Sequence, residues 1–175
     1  MAEDFLANPE SRLEKAYTRI WTTRMAGLPF LNDKLRVEAV GFRPWDGQWL
    51  GALVTPWSLN LVLLPGEGQW KALPAGGERI VALPAGRYRF IAGVDADLGE
   101  YHACSLFSPT QEFADHESAR ATAAAALVAL FDAANAAADD AFLAEHKPAP
   151  AQPAEVSKRN FLRGQFSGSG HGDRG

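Results

Sequence analysis

Gly51-Ala52-Leu53-Val54-Thr55-Pro56-Trp57-Ser58-Leu59-Asn60-Leu61-Val62-Leu63-Leu64-Pro65 holds two apolar runs divided by one short break. Each run has the length and the β-branched and aliphatic content of a strand. Pro56 cannot donate to a ladder, so Thr55-Pro56-Trp57 reads as a turn or a strand edge. Working outward, segments 35–42, 79–83, 88–94 and 101–107 are also strand-like. The punctuators between them are short: Pro44-Trp45-Asp46-Gly47, Pro65-Gly66-Glu67-Gly68, Pro74-Ala75-Gly76-Gly77 and Pro84-Ala85-Gly86. Connections of this length leave no room for crossover helices, which predicts an antiparallel meander of about six strands.

Both flanks are helical. Over 9–26, Leu13, Ala16, Tyr17, Ile20, Trp21 and Met25 recur at three- and four-residue spacing. Asn8 caps that helix, Pro9 suits its first position, and Gly27 and Pro29 stop it. After the strands, Ser108-Pro109-Thr110-Gln111 has the form of a capping box. An Ala-rich helix is predicted beyond it, over 112–134 or as far as 145, with Leu127, Val128, Leu130 and Phe131 as its apolar face. The fold class is α+β, a sheet covered by an N-terminal helix and a long C-terminal helix. The domain is expected over 1–145, a Pro-rich linker over 146–156 and a disordered basic tail over 157–175.

Composition excludes several functions. Of 175 residues, 47% are apolar and 22% charged, which suits one globular domain. No apolar run is long enough to span a membrane. Met1 to Glu10 is acidic and has no h-region, so no cleaved export signal is expected. A single cysteine excludes a disulfide framework and a Cys-rich zinc site, and fits a cytoplasmic location. In 155–175, Lys158, Arg159, Arg163 and Arg174 against Glu155 and Asp173 give +2; the net charge is −4, so the remainder carries −6. Such a body is a poor match for nucleic acid and a better one for a basic peptide.

Ser157-Lys158-Arg159-Asn160-Phe161-Leu162-Arg163 resembles a twin-arginine export signature at the wrong end of a chain. Lys158 replaces its first arginine, and the polar 164–175 that follows offers no h-region. The segment is either a chance basic tail or a decoy of a real signal, carried by Ser157, Lys158, Arg159, Phe161 and Leu162.

Several further stretches stand in order and in register: 51–66, Leu83-Pro84-Ala85-Gly86-Arg87-Tyr88-Arg89-Phe90, Leu98-Gly99-Glu100-Tyr101-His102-Ala103-Cys104-Ser105-Leu106-Phe107-Ser108-Pro109, and Glu112-Phe113-Ala114-Asp115. Over about 10–135 they resemble the HybE family of [NiFe]-hydrogenase assembly chaperones, also called HupJ or HoxT. Thr110 stands where that family would have Met. The resemblance implies an accessory protein with no catalytic role and no cofactor of its own. It implies a partner in a [NiFe]-hydrogenase precursor subunit, small or large, held until its cofactors are inserted and its subunits paired before twin-arginine export.

Individual residues admit two readings each. Trp57 is a core residue at a bend or an exposed binding anchor. Asn60 interrupts an apolar run, either tying down a loop or contacting a client. Asp95, Asp97 and Glu100 form a solvated acidic turn or a patch that receives arginines bidentately. His102 and Cys104 point to one face of a strand, as buried structural residues or as a thiol or metal-transfer pair. No bound metal is expected.

Overall fold

The two apolar runs of the opening stretch become adjacent central strands because both of their faces are buried. In the computed structural model, which describes residues 7–136, β1 (Glu38–Trp45), β2 (Gln48–Val54) and β3 (Leu59–Pro65) form one antiparallel meander. β4 (Glu78–Leu83), β5 (Gly86–Asp95) and β6 (Gly99–Phe107) form another. The linker 146–156 and the tail 157–175 expected from sequence lie outside the described residues.

The sheet order is β1-β2-β3-β6-β5-β4, all antiparallel, so the expectation of one serial meander is corrected. β3 pairs with β6, and β4 is carried to the far edge by the connection 66–77. Burial explains the exchange. His102, Cys104 and Leu106 of β6 are buried and need a strand on each side, whereas β4 alternates exposed and buried residues, as an edge strand does.

Helix α1 (Glu10–Ile20) lies on one face, burying Leu13, Ala16 and Tyr17 against Leu53, Val62, Leu64 and Leu98. The Glu10 amide donates to Asn8 Oδ1 at 2.9 Å, and one π-helical turn (Trp21–Met25) extends the helix toward Gly27, whose φ of +82° ends it. The same helix protects the β1 edge. Ala39 N donates to Glu14 Oε1 at 3.0 Å and Phe42 N to Glu10 Oε1 at 3.2 Å.

Helix α2 (His116–Leu130) covers the opposite face through Ala119, Ala123, Ala126 and Leu130. The alanines let it sit close: a Cβ on Gly41 would stand 2.8 Å from Leu127 Cδ1. The predicted capping box at 108–111 does not start this helix. Asp115 does, its carboxylate accepting from Ser118 N at 2.7 Å. Thr110 is drawn into tertiary bonds instead. Its hydroxyl donates to Pro56 O at 2.8 Å, and its carbonyl accepts from Asn32 Nδ2 at 2.9 Å. Of the expected apolar face, Leu130 is buried and Leu127 and Phe131 pack against the core, while Val128 is 75% exposed. The helix gives way after Leu130 to a 3₁₀ turn, Ala133–Asn135, short of the 112–134 run expected.

Phe42 lies flat over Gly51, where a Cβ would fall 2.3 Å from the ring. Gly51→Val should therefore overpack the α1-side core and lower the unfolding free energy by about 1–3 kcal/mol in urea titrations. An unchanged midpoint would mean that the ring moves aside freely.

Candidate functional site

Helix α1 spans only one half of its sheet face, and the residues at that boundary form an aromatic strip. Tyr17 stacks on Trp57 with centroids 6.3 Å apart, and Tyr101 meets Tyr17 edge-on at 6.2 Å. Trp57 is held by its own turn: Thr55 Oγ1 accepts from Trp57 N at 3.2 Å and from Ser58 N at 2.9 Å. Pro56 O anchors that turn, accepting from Asn32 N and Thr110 Oγ1, both at 2.8 Å. Trp57 is thus half-buried on the α1-side core, with its turn fixed from three directions.

Beyond the strip the sheet face is open. One row leads onto it from buried Val62 through Ala103 and Ile91 to Glu78. Ile91 is 46% exposed and Ile80, on the same face, 57%. Asn60 sits on this face between Leu53 and Ser105; its Oδ1 is enclosed and accepts no hydrogen bond from the described residues. An enclosed acceptor left empty is costly.

The acidic trio is divided between the two faces. Asp95 is buried and takes Arg19 Nη2 at 3.0 and 2.8 Å, together with Asp97 N at 2.8 Å. Asp97 is exposed and pairs with Arg19 Nη1 at 3.2 Å. A guanidinium from α1 thus already occupies the bidentate position on these two carboxylates. Glu100 faces the other way, accepting from Leu73 N at 2.7 Å and pairing with His102 Nε2 at 3.0 Å. Burial acts to raise its pKa, but the bonds from Leu73 and His102 outweigh it and hold the carboxyl below its usual value.

His102 and Cys104 share a face as expected, and each is sealed. His102 lies beneath Trp70, with rings 4.3 Å apart. Its pKa is lowered chiefly by burial, against the pull of Glu100. Cys104 is 2% exposed among Leu61, Phe90 and Leu106, and burial pushes its thiol up to about 12. Among the described residues no three His, Cys, Asp or Glu side chains come together as a metal site. No described helix is long and apolar enough to cross a membrane.

Tyr17, Tyr101, Arg19, Ile80 and Ile91 were missed as site residues from sequence. The two isoleucines had left a signal. Val81, Leu83, Tyr88 and Phe90 set the core parity of β4 and β5, and Ile80 and Ile91 fall on the solvent parity. Arg19 left none, since its partners Asp95 and Asp97 lie 76 and 78 residues away.

The scaffold, a six-stranded antiparallel sheet with a helix on each face, is that of an assembly-chaperone family. Over residues 8–164 the chain matches the family model described as [NiFe]-hydrogenase assembly, chaperone, HybE, and it belongs to that family. It is 40% identical over 155 residues to the hydrogenase expression/formation protein HupJ of Bradyrhizobium diazoefficiens, covering 89% of this chain and 87% of that one. It is 39% identical over 158 residues to the hydrogenase expression/formation protein HupT of Azotobacter chroococcum, covering 89% and 95%. The solution structure of HybE from Escherichia coli is similar, with a TM-score of 0.61 at 27% identity over 73% of this chain and 79% of that one.

Two outcomes follow from the sealed strand. The unfolded chain protonates His102 near 6.5 while the folded chain resists to lower pH, so stability falls as pH drops through that value. Between pH 7 and 5.5, His102→Gln should flatten the slope of unfolding free energy, by at most about 1.4 kcal/mol per pH unit; an unaltered slope would place the titration elsewhere. Cys104 should react with a disulfide reagent at pH 8 no faster than the fold opens. Immediate labelling would show an accessible thiolate and revive a thiol-transfer role.

Proposed function

We propose that this chain holds a precursor subunit of a [NiFe]-hydrogenase on its α1-side surface, before that subunit is exported by the twin-arginine route. The observation that carries this reading is the aromatic strip bordering an uncovered, partly apolar sheet face in a hydrogenase assembly chaperone. Trp57 and Tyr101 give rigid contact area at low entropic cost, Ile91 and Ile80 extend it, and half-buried Asn60 lies beside them as a further contact for the client. Holding is stoichiometric and needs no chemistry from His102 or Cys104. The work is cytoplasmic, ahead of export.

Asp95 and Asp97 enter this reading as a regulated contact. A client arginine reaches them only by displacing Arg19, so the site favours segments with more than one basic residue. The tail residues Ser157 to Leu162, resembling such a segment, compete in cis at an effective concentration of order millimolar.

The test uses fluorescence anisotropy with labelled small- and large-subunit precursors and an isolated twin-arginine peptide, against the full chain and a chain ending at Ala154. Trp57→Ala should weaken precursor binding by about tenfold or more, and removal of the tail should tighten it for the small-subunit precursor. Failure of both precursors to bind would overturn the holding function. Equal affinity with and without the tail would overturn the competition.

A further inference from the structure

The other face of the sheet carries a second, polar site. A cleft of about 740 Å³ opens between the Asp46-Gly47 turn and the connection 66–77, walled by Trp70 and Lys71, with Arg79 of β4 and Gln48 of β2 at its base. Arg79 Nη1 lies 3.2 Å from Gln48 Oε1 and 3.3 Å from His102 Nδ1. Arginine only donates, so His102 Nδ1 is an acceptor and the ring proton sits on Nε2, where it goes to Glu100. Glu100 is fixed in turn by Leu73 N. The guanidinium is therefore aimed by a relay of buried groups: Gln48 is 3% exposed and His102 fully buried.

What the relay does not supply is a counter-charge. Both partners of Arg79 are neutral, and no carboxylate among the described residues pairs with it within 4 Å. Burial lowers its pKa, with Asp46 acting from a distance in the opposite sense. Nη2 and Nε make no bond to the described residues. One edge of the fork is thus oriented, partly desolvated and open to the cleft, beside an indole 5.9 Å away and a second cation, Lys71. In a body of net charge −6 outside its last 21 residues, an arginine prepared in this way is suited to an anion brought from outside.

We infer that Arg79 anchors a carboxylate-binding site, taking an acidic side chain or the free C-terminus of a bound polypeptide through two parallel N–H···O bonds. Trp70 walls the site and Lys71 adds charge. The inference rests on the reading that this chain holds a polypeptide, and adds a second, oppositely charged point of attachment on the face away from Trp57. Gln48 and His102 are positioning residues for that fork, and Glu100 positions His102.

The experiment is a titration of the ¹⁵N-labelled full chain, following the Arg79 Nε–H resonance. The probes are acetyl-Gly-Ala-Glu-Ala-amide, acetyl-Gly-Ala-Gln-Ala with a free carboxylate, the same peptide amidated, and inorganic phosphate. A saturable shift with a carboxylate peptide and none with the amide is expected, the first peptide marking a side-chain ligand and the second a C-terminus. Arg79→Gln should weaken that binding about 10- to 100-fold. Arg79→Lys, which keeps the charge and loses the fork, should fall between, with an unchanged amide spectrum elsewhere. Phosphate binding as tightly as the peptides, a linear shift with every probe, or peptide affinity untouched in Arg79→Gln would overturn the site. Precursor binding by the unmodified chain is measured alongside: its absence counts against the holding function, while its presence without any peptide response counts against this site alone.

Discussion

The fold depends on two strands that cannot face water on either side. β2 and β3 carry Leu50, Ala52, Val54, Leu61 and Leu63 toward one helix, and Leu53, Val62 and Leu64 toward the other. With aliphatic side chains on both surfaces, each buried one contributing about 1.5–3 kcal/mol, the sheet has to be sandwiched at this point. Both helices are therefore drawn to the β1–β2–β3 half, and the β6–β5–β4 half is left thinly covered on the α1 side. The exposed surface there is a by-product of where the core is richest.

That imbalance separates what was legible in the sequence from what was not. The strands, both helices and the α+β class follow from local periodicity, which each segment carries in itself. The pairing of β3 with β6 does not, because alternation identifies a strand without identifying its neighbour. The start of α2 was misplaced for a related reason. Ser108 and Gln111 carry a local cap signature, but Thr110 between them is bound to Pro56 and Asn32, 54 and 78 residues away. Among the candidate residues, Asp95, Asp97 and Glu100 looked like one patch because they are close in sequence. Strand geometry places Glu100 with His102, two residues on and on the same face, while a helix residue claims the aspartates. The Arg79 relay was invisible from sequence, since it converges from β2, β4 and β6.

The two faces differ in what they present. On the α1 side the contacts are aromatic and aliphatic, with one empty acceptor and two carboxylates already answered by Arg19. On the α2 side a cleft presents a guanidinium that no carboxylate of the described residues meets within 4 Å. The strand β6 joins them: Tyr101 and Ala103 look one way, Glu100 and His102 the other. A shift of this strand would be felt on both faces at once.

The two borders of the sheet are also unequal. Along β1, Glu10 and Glu14 consume backbone donors and Pro44 has none to offer, while β4 ends the sheet with no described strand beyond it. A sheet that can accept another strand at only one border cannot act as a link in a chain. If two copies join edge to edge through β4, each closes the other's free border and growth stops at two. The carboxylates of α1 thus serve as a terminator, capping the length of any assembly that pairs these sheets.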